Sequence, residues 1–227
     1  MTAQIMQIGN RPCRIYGEAH AEYLLFQMTG EHELQSMESE VTAIAQSAPH
    51  FLFAAIPVES WNDALSPWEA PAVWGKESFG GDAADTLRFL TEQVIPTLEQ
   101  QFRLPENVKI ILGGYSLAGL FALWASTQTD LFYGVAAASP SVWFPDWMEF
   151  EQQRPIQTQR VYLSLGDKEE NTKNAVMAVV GDNIRTLHSR LAERSTDCTL
   201  EWNSGGHFKD ADLRTARAFQ WVMEESR

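Results

Sequence analysis

The stretch Val108-Lys-Ile-Ile-Leu-Gly-Gly-Tyr-Ser-Leu-Ala-Gly-Leu-Phe-Ala-Leu123 decides the fold. Its first half is a near-continuous apolar run, the pattern of a strand buried on both faces. Its second half is apolar and rich in the helix formers Leu and Ala. Between them Gly114-Tyr-Ser-Leu-Ala-Gly119 leaves room only for a sharp turn with Ser116 at its apex. Such a turn strains the serine backbone and lifts its hydroxyl above the carboxyl edge of a sheet. The turn brings strand and helix backbones together, so the residues two positions to either side must be small. Gly114 and Ala118 satisfy that requirement. A helix starting at the serine directs free N–H groups and a positive dipole end at any developing anion. Ser116 is thus a candidate nucleophile, and the Leu117 N–H a candidate oxyanion donor.

Working outward, short Val/Ile/Leu/Phe runs alternate with helical patterns, which predicts a mostly parallel sheet covered by helices on both faces. The expected strands are Gln4–Ile8, Cys13–Gly17, Tyr23–Met28, Phe51–Pro57, Val108–Gly114, Gly134–Ser139, Arg160–Gly166 and Cys198–Asn203. The first two are short and mixed, as in an antiparallel edge. The expected helices are Leu34–Ser47, Asp82–Gln101 with a kink at Pro96, Leu117–Ser126, Asn174–Arg194 and Asp210–Glu225 with Asp210 as N-cap. Segment Glu59–Gly81 holds Trp61, Trp68 and Trp74, three of the eight tryptophans, with Pro67 and Pro71. It reads as a long irregular loop, and long loops in compact domains are usually functional.

A serine hydroxyl needs an adjacent general base. Of the five histidines, His207 lies in Asn203-Ser-Gly-Gly-His-Phe-Lys-Asp210, between the last strand and last helix. Gly205 and Gly206 allow that loop to bend back over the sheet. A loop histidine is ordinarily just solvated, but the order serine, acid, histidine along the chain favours the base. His188 falls inside a helix and reads as structural. The acid should follow Arg160–Gly166 and hold the imidazole tautomer. Glu169 is favoured; Asp167 is the alternative, and Glu170 completes a cluster in which the other acids are surface charge. A second oxyanion donor is expected after the third strand, within Met28-Thr-Gly-Glu-His32, with Thr29 or Met28 fitting best. Glu31 and His32 either line the site or are solvated.

Charge and composition narrow the partners. There are 17 Lys+Arg against 30 Asp+Glu, a formal net charge of −13, which repels nucleic acid and disfavours a highly anionic substrate. Cys13 and Cys198 lack metal-ligand spacing and read as reduced thiols of a cytoplasmic protein. No apolar run approaches a membrane span, and the amino terminus lacks a signal-peptide pattern. A single domain over residues 1–227 is expected, without nucleic-acid or membrane partners, as a monomer or homodimer.

Four stretches carry a family resemblance: Val94-Ile-Pro-Thr-Leu-Glu99, Gly114-Tyr-Ser-Leu-Ala-Gly-Leu-Phe-Ala-Leu123, Ala138-Ser-Pro-Ser-Val-Trp143 and Gly205-Gly-His-Phe208. From about Tyr23 onward the chain resembles the esterase-D-like branch of α/β-hydrolases. That branch includes trilactone siderophore hydrolases, S-formylglutathione hydrolases, carbohydrate esterases and mycolyl transferases. The Ser-Pro-Ser-x-Trp stretch is most similar to the siderophore-hydrolase group. The resemblance implies a three-layer α/β/α sandwich, an α/β-hydrolase fold with a mostly parallel eight-stranded sheet. It implies a serine hydrolase of carboxylic esters or thioesters that uses a small-molecule ester substrate and needs no cofactor or metal. In that family the acid often lies three residues after the strand-ending glycine, which again selects Glu169. The loop after the third strand departs from the family pattern.

Trp61, Trp68 and Trp143 fall in loops at the carboxyl ends of strands, where sites form in open α/β sheets, and are expected to wall a hydrophobic pocket. Two other readings stay open: an acyltransferase using the same residues, and a catalytically silent hydrolase fold used for binding.

Overall fold

A computed structural model describes residues 1–46 and 50–224. Ser47 and Glu225, the ends expected for the first and last helices, lie outside the described residues. In chain order the elements are β1 (Gln4–Ile8), β2 (Arg11–Gly17), β3 (Tyr23–Thr29), α1 (Glu31–Ala45), β4 (Phe51–Pro57), α2 (Trp61–Leu65), β5 (Glu69–Ala70) and β6 (Phe79–Gly80). There follow α3 (Ala83–Phe89), a π-turn (Leu90–Val94), α4 (Ile95–Phe102), β7 (Lys109–Tyr115), α5 (Leu117–Gln128), β8 (Gly134–Ala138) and α6 (Trp147–Gln153). The chain continues through β9 (Arg160–Gly166), a 3₁₀ turn (Glu169–Asn171), α7 (Ala175–Ala178), α8 (Val180–Glu193), β10 (Asp197–Asn203) and α9 (Ala211–Met223).

The main sheet has eight strands in the order β1-β2-β4-β3-β7-β8-β9-β10. β1 and β2 form an antiparallel edge, and β4, β3, β7, β8, β9 and β10 run parallel to one another. Side-chain alternation sorts the sheet into two apolar faces. Leu24, Phe26, Leu52, Leu112, Val135 and Leu163 pack on one face with α3, α4, α5 and α8. Leu25, Phe53, Ile111, Ala136 and Tyr162 pack on the other with α1 and α9. The result is a three-layer α/β/α sandwich. Each fully buried Leu or Phe contributes roughly 1.5–3 kcal/mol. At Gly113 a Cβ would come within 2.6 Å of Phe219 Cζ and 2.8 Å of Ala136 Cβ, which explains how α9 sits flush against β7 and β8.

Four expectations need correction. The helix foreseen over Asp82–Gln101 is interrupted by the π-turn, with Ile95 N–H bonded to Leu90 C=O. Pro96 has no N–H to return to the preceding turn, so the ladder slips by one residue ahead of it. The helix foreseen over Asn174–Arg194 is two helices, broken at Val179. Asp210 stands at the start of α9 but in a left-handed conformation (φ 52°), and its side chain makes no capping bond. Segment Glu59–Gly81 is not irregular throughout: it contains α2 and the β5–β6 ladder, Glu69 opposite Gly80 and Ala70 opposite Phe79. Among the described residues no helix is long and apolar enough to cross a membrane.

Candidate active site

Three parallel strands, β7, β9 and β10, end at the same edge of the sheet and deliver the site. β7 runs into Ser116, whose φ of 57° and ψ of −121° lie outside the relaxed regions, a strain of roughly 1–3 kcal/mol held by its surroundings. Gly114 permits it: φ is +156°, and a Cβ there would come 2.6 Å from Ala118 Cβ. β9 ends at Gly166 and leads through a turn to Glu169. β10 leads to the loop that carries His207, where Gly205 adopts φ +113°.

His207 Nε2 lies 3.0 Å from Ser116 Oγ, and His207 Nδ1 lies 2.7 Å from Glu169 Oε2. The structure therefore brings Ser116, His207 and Glu169 together in that order. Asp167 is engaged elsewhere: its Oδ1 accepts the Gly205 N–H at 2.8 Å, and its own N–H is donated to Asn203 C=O at 2.8 Å. It fastens the acid-bearing turn to the histidine loop.

The second oxygen of Glu169 is held by three donors. Gly166 N–H donates at 2.7 Å, Ser139 Oγ at 2.8 Å and Arg214 Nη1 at 3.2 Å. The Glu169 side chain is 5% exposed and that of Arg214 is 2% exposed. A buried guanidinium beside a buried carboxylate keeps both desolvated charges paired. Arg214 also donates to Tyr115 Oη at 3.1 Å, and that hydroxyl donates to His207 C=O at 2.6 Å. Burial pushes the Tyr115 phenol up, as does the nearby Glu169 charge, so it stays protonated as a donor. The sequence reading assigned no role to Ser139, Tyr115 or Arg214. Arg214 had a signal: a cation in register with the apolar stripe Ala218 and Val222 of α9.

Around the expected oxyanion site the residues divide. Leu117 is the first residue of α5, where backbone N–H groups have no intrahelical acceptor. Thr29 C=O accepts Val58 N–H at 2.9 Å, which turns its peptide edge toward β4 and away from β7. Met28 is buried within β3. Gly30 N–H donates to Glu33 Oε2 at 3.0 Å. Because β3 and β7 are neighbours, the starts of α1 and α5 sit beside one another at the same edge of the sheet.

The three pocket tryptophans also divide. Trp61 lies over the turn from β3 to α1; a Cβ on Gly30 would come 3.4 Å from its Cε3. Trp143 is buried and meets Trp74 and Phe79 edge-on, with centroids 6.0 and 6.3 Å apart. Beside it Asn62, Trp74, Lys76, Glu77 and Phe79 line a cleft of about 270 Å³. Trp68 instead braces the wall from behind: its indole N–H donates to Pro145 C=O at 3.1 Å and its ring packs on Phe144 and Phe150. Phe208 stands 89% exposed, edge-on to the His207 ring at 5.2 Å.

The sheet order, the strained serine at the end of β7 and the converging ends of β9 and β10 define an α/β-hydrolase. The chain belongs to the family described as Putative esterase, whose model matches residues 26–210, and it is a hydrolase acting on esters. It is similar to YbbA of Bacillus subtilis (strain 168), 23% identical over 209 residues, covering 87% of this chain and 82% of that protein. It is also similar to the ferri-bacillibactin esterase BesA of the same organism, 27% identical over 156 residues, covering 63% of this chain and 52% of BesA. Its fold matches an IroE-like serine hydrolase from Shewanella oneidensis with a TM-score of 0.80 and 17% identity, over 96% of this chain and 79% of that one.

Proposed function

We propose that this chain is a serine esterase acting through Ser116, His207 and Glu169 and a covalent acyl-enzyme. The observation that carries the reading is the unbroken hydrogen-bonded line from Ser116 Oγ through both imidazole nitrogens to Glu169. Glu169 accepts the Nδ1 proton, which leaves Nε2 as the lone-pair nitrogen facing the serine. As Ser116 Oγ attacks the ester carbonyl, its proton passes to Nε2. The imidazolium then protonates the departing alcohol. Water enters, gives a proton to His207 and bonds to the acyl carbon; the bond from that carbon to Ser116 Oγ then breaks, the acid is released and His207 returns the proton to Oγ.

The carbonyl oxygen gains charge in both tetrahedral intermediates. Leu117 N–H is one donor to it. We assign the second to the start of α1, at Glu31 N–H, since the Thr29 amide edge faces β4 and Gly30 N–H is bonded to Glu33. Two adjacent helix starts also direct two positive dipole ends at the same point. One such donor is worth about 10²–10³ in rate.

For substrate we propose a small carboxylic ester with an aromatic group, seated between Trp143, Trp61 and Phe208. The likeness to BesA makes trilactone siderophores the first esters to test, although this chain spans about half of that relative. Unpaired Cys13 and Cys198 favour the reducing cytoplasm as its location. A panel of esters varying in acyl length, aromaticity and charge, with products identified by mass, tests the reading. Hydrolysis that is lost in Ser116→Ala supports it; a wild-type protein that hydrolyses no member above the Ser116→Ala background overturns it.

A further inference from the structure

The Ser139-Pro140-Ser141 turn touches both ends of the proposed relay. Ser139 Oγ donates to Glu169 Oε1 at 2.8 Å. Two residues on, Ser141 Oγ lies 3.3 Å from Ser116 Oγ. Ser141 is 1% exposed, and its position is fixed from several sides. Its N–H donates to Ser116 C=O at 3.1 Å and its C=O accepts Phe144 N–H at 3.0 Å. A tight turn closes around it, Val142 N–H to Pro140 C=O at 2.7 Å, and Asn183 Nδ2 of α8 donates to Val142 C=O at 2.8 Å. Pro140 packs on the first turn of α5, where a Cβ on Gly119 would come 3.1 Å from Pro140 Cβ.

We infer that Ser141 is a further catalytic residue, the hydrogen-bond donor to the nucleophile oxygen Ser116 Oγ. The inference rests on the proposed role of Ser116. A hydroxyl has one proton. With Nδ1–H given to Glu169, His207 Nε2 is an acceptor, so the Ser116 proton points to Nε2. The proton between the two serine oxygens must then belong to Ser141. The Ser116 oxygen is therefore held by two bonds of opposite sense, one drawing its proton away and one donating into its lone pair.

This arrangement favours the reacting state over the resting one. As the Ser116 proton moves to His207, charge builds on Oγ and the Ser141 bond becomes charge-assisted, roughly twice as strong as a neutral one. When the Oγ lone pair forms the bond to the acyl carbon, the carbonyl π pair moves to the carbonyl oxygen and Oγ becomes a poor acceptor. In deacylation the C–Oγ bond breaks, its electron pair returns to Oγ and Ser141 again donates while His207 supplies the proton. Ser141 keeps its own proton throughout. Leu117 and Glu31 act on the carbonyl oxygen; Ser141 acts on the nucleophile and leaving oxygen.

The test is the rate constant for labelling by a fluorophosphonate probe, followed by intact mass, in wild type, Ser141→Ala and Ser141→Cys, with melting curves on each. Cysteine fills the place of the hydroxyl with a larger, weakly donating thiol, while alanine leaves the volume nearly unchanged and removes the donor. The expected result is normal melting with labelling slowed about ten- to hundredfold in both variants, and kcat/KM for esters falling in proportion. Labelling of Ser141→Ala within about twofold of wild type overturns the inference. So does recovery in Ser141→Cys, which would make the effect one of packing. If Ser141→Ala does not fold, Ser141→Cys alone decides. Wild-type labelling at Ser116 with a normal Ser141→Ala rate defeats this inference and leaves the esterase reading standing; no labelling at Ser116 defeats both.

Discussion

Replacing Glu169 by Gln perturbs one atom and forces a choice on the site. In the native protein Oε1 accepts from Gly166 N–H, Ser139 Oγ and Arg214 Nη1, while Oε2 accepts from His207 Nδ1. An amide offers one acceptor end and one donor end. With its NH₂ toward the three donors, at least the Gly166 and Arg214 N–H groups would face another N–H. Each buried donor left unsatisfied costs about 1–3 kcal/mol. The amide therefore puts its oxygen into that nest and its NH₂ against His207. Nδ1 must then accept, the proton moves to Nε2, and the nitrogen facing Ser116 can no longer act as a base. The account predicts a loss of kcat of about 10⁴-fold, with melting lowered as well because the buried Arg214 guanidinium loses its counter-charge. Asp167→Asn keeps the oxygen that accepts Gly205 N–H and should cost less than about tenfold. Steady-state kinetics on a chromogenic ester with thermal melts checks both. A Glu169→Gln enzyme retaining more than about a tenth of native kcat, or a larger loss in Asp167→Asn, refutes the reasoning.

Three further outcomes are expected. Gly114→Ala should destabilise the fold by about 2–4 kcal/mol in denaturant titration, because its φ and the closeness of Ala118 both reject a Cβ. Phe208→Ala should raise KM for aromatic esters about two- to tenfold with little change for small acetates, since its exposed ring stands beside His207. Glu40 is buried against Gln27, and desolvation holds its carboxyl well above the ordinary 4.5. The folded protein keeps that proton while the unfolded chain releases it, so its contribution is intact below the unfolded pKa and lost as pH rises toward the folded one. Glu40→Gln should therefore melt higher than wild type at pH 8, with the gap closing at pH 4; a gap independent of pH contradicts the assignment.

Much of the architecture was legible because the physics is local. Gln4–Ile8, Phe51–Pro57 and Arg160–Gly166 match their strands end to end, the last two as apolar runs and the first as a short mixed run closed by Gly9-Asn10. The Ser116 turn was legible because strained geometry demands small neighbours at fixed offsets. The π-turn before Pro96 was not, because hydrophobic periodicity does not distinguish a slipped ladder from a kink. The proposed site was legible where one residue type performs the chemistry, as at Ser116 and His207. The supporting residues were not: Arg214 reaches Tyr115 across 99 positions and Ser141 reaches Ser116 across 25, contacts set by strand order. Nor does the sequence show which neighbouring strand the Thr29 peptide edge faces. That depends on register, which a single sequence leaves open.

The central claim is that Ser116 is a nucleophile activated by the line it heads. It is tested most directly by incubating the purified protein with a fluorophosphonate probe and locating the adduct by peptide mass. The account predicts one equivalent on the peptide containing Ser116 and none in Ser116→Ala or His207→Ala. An unlabelled wild-type protein, or an adduct that survives Ser116→Ala, would contradict it.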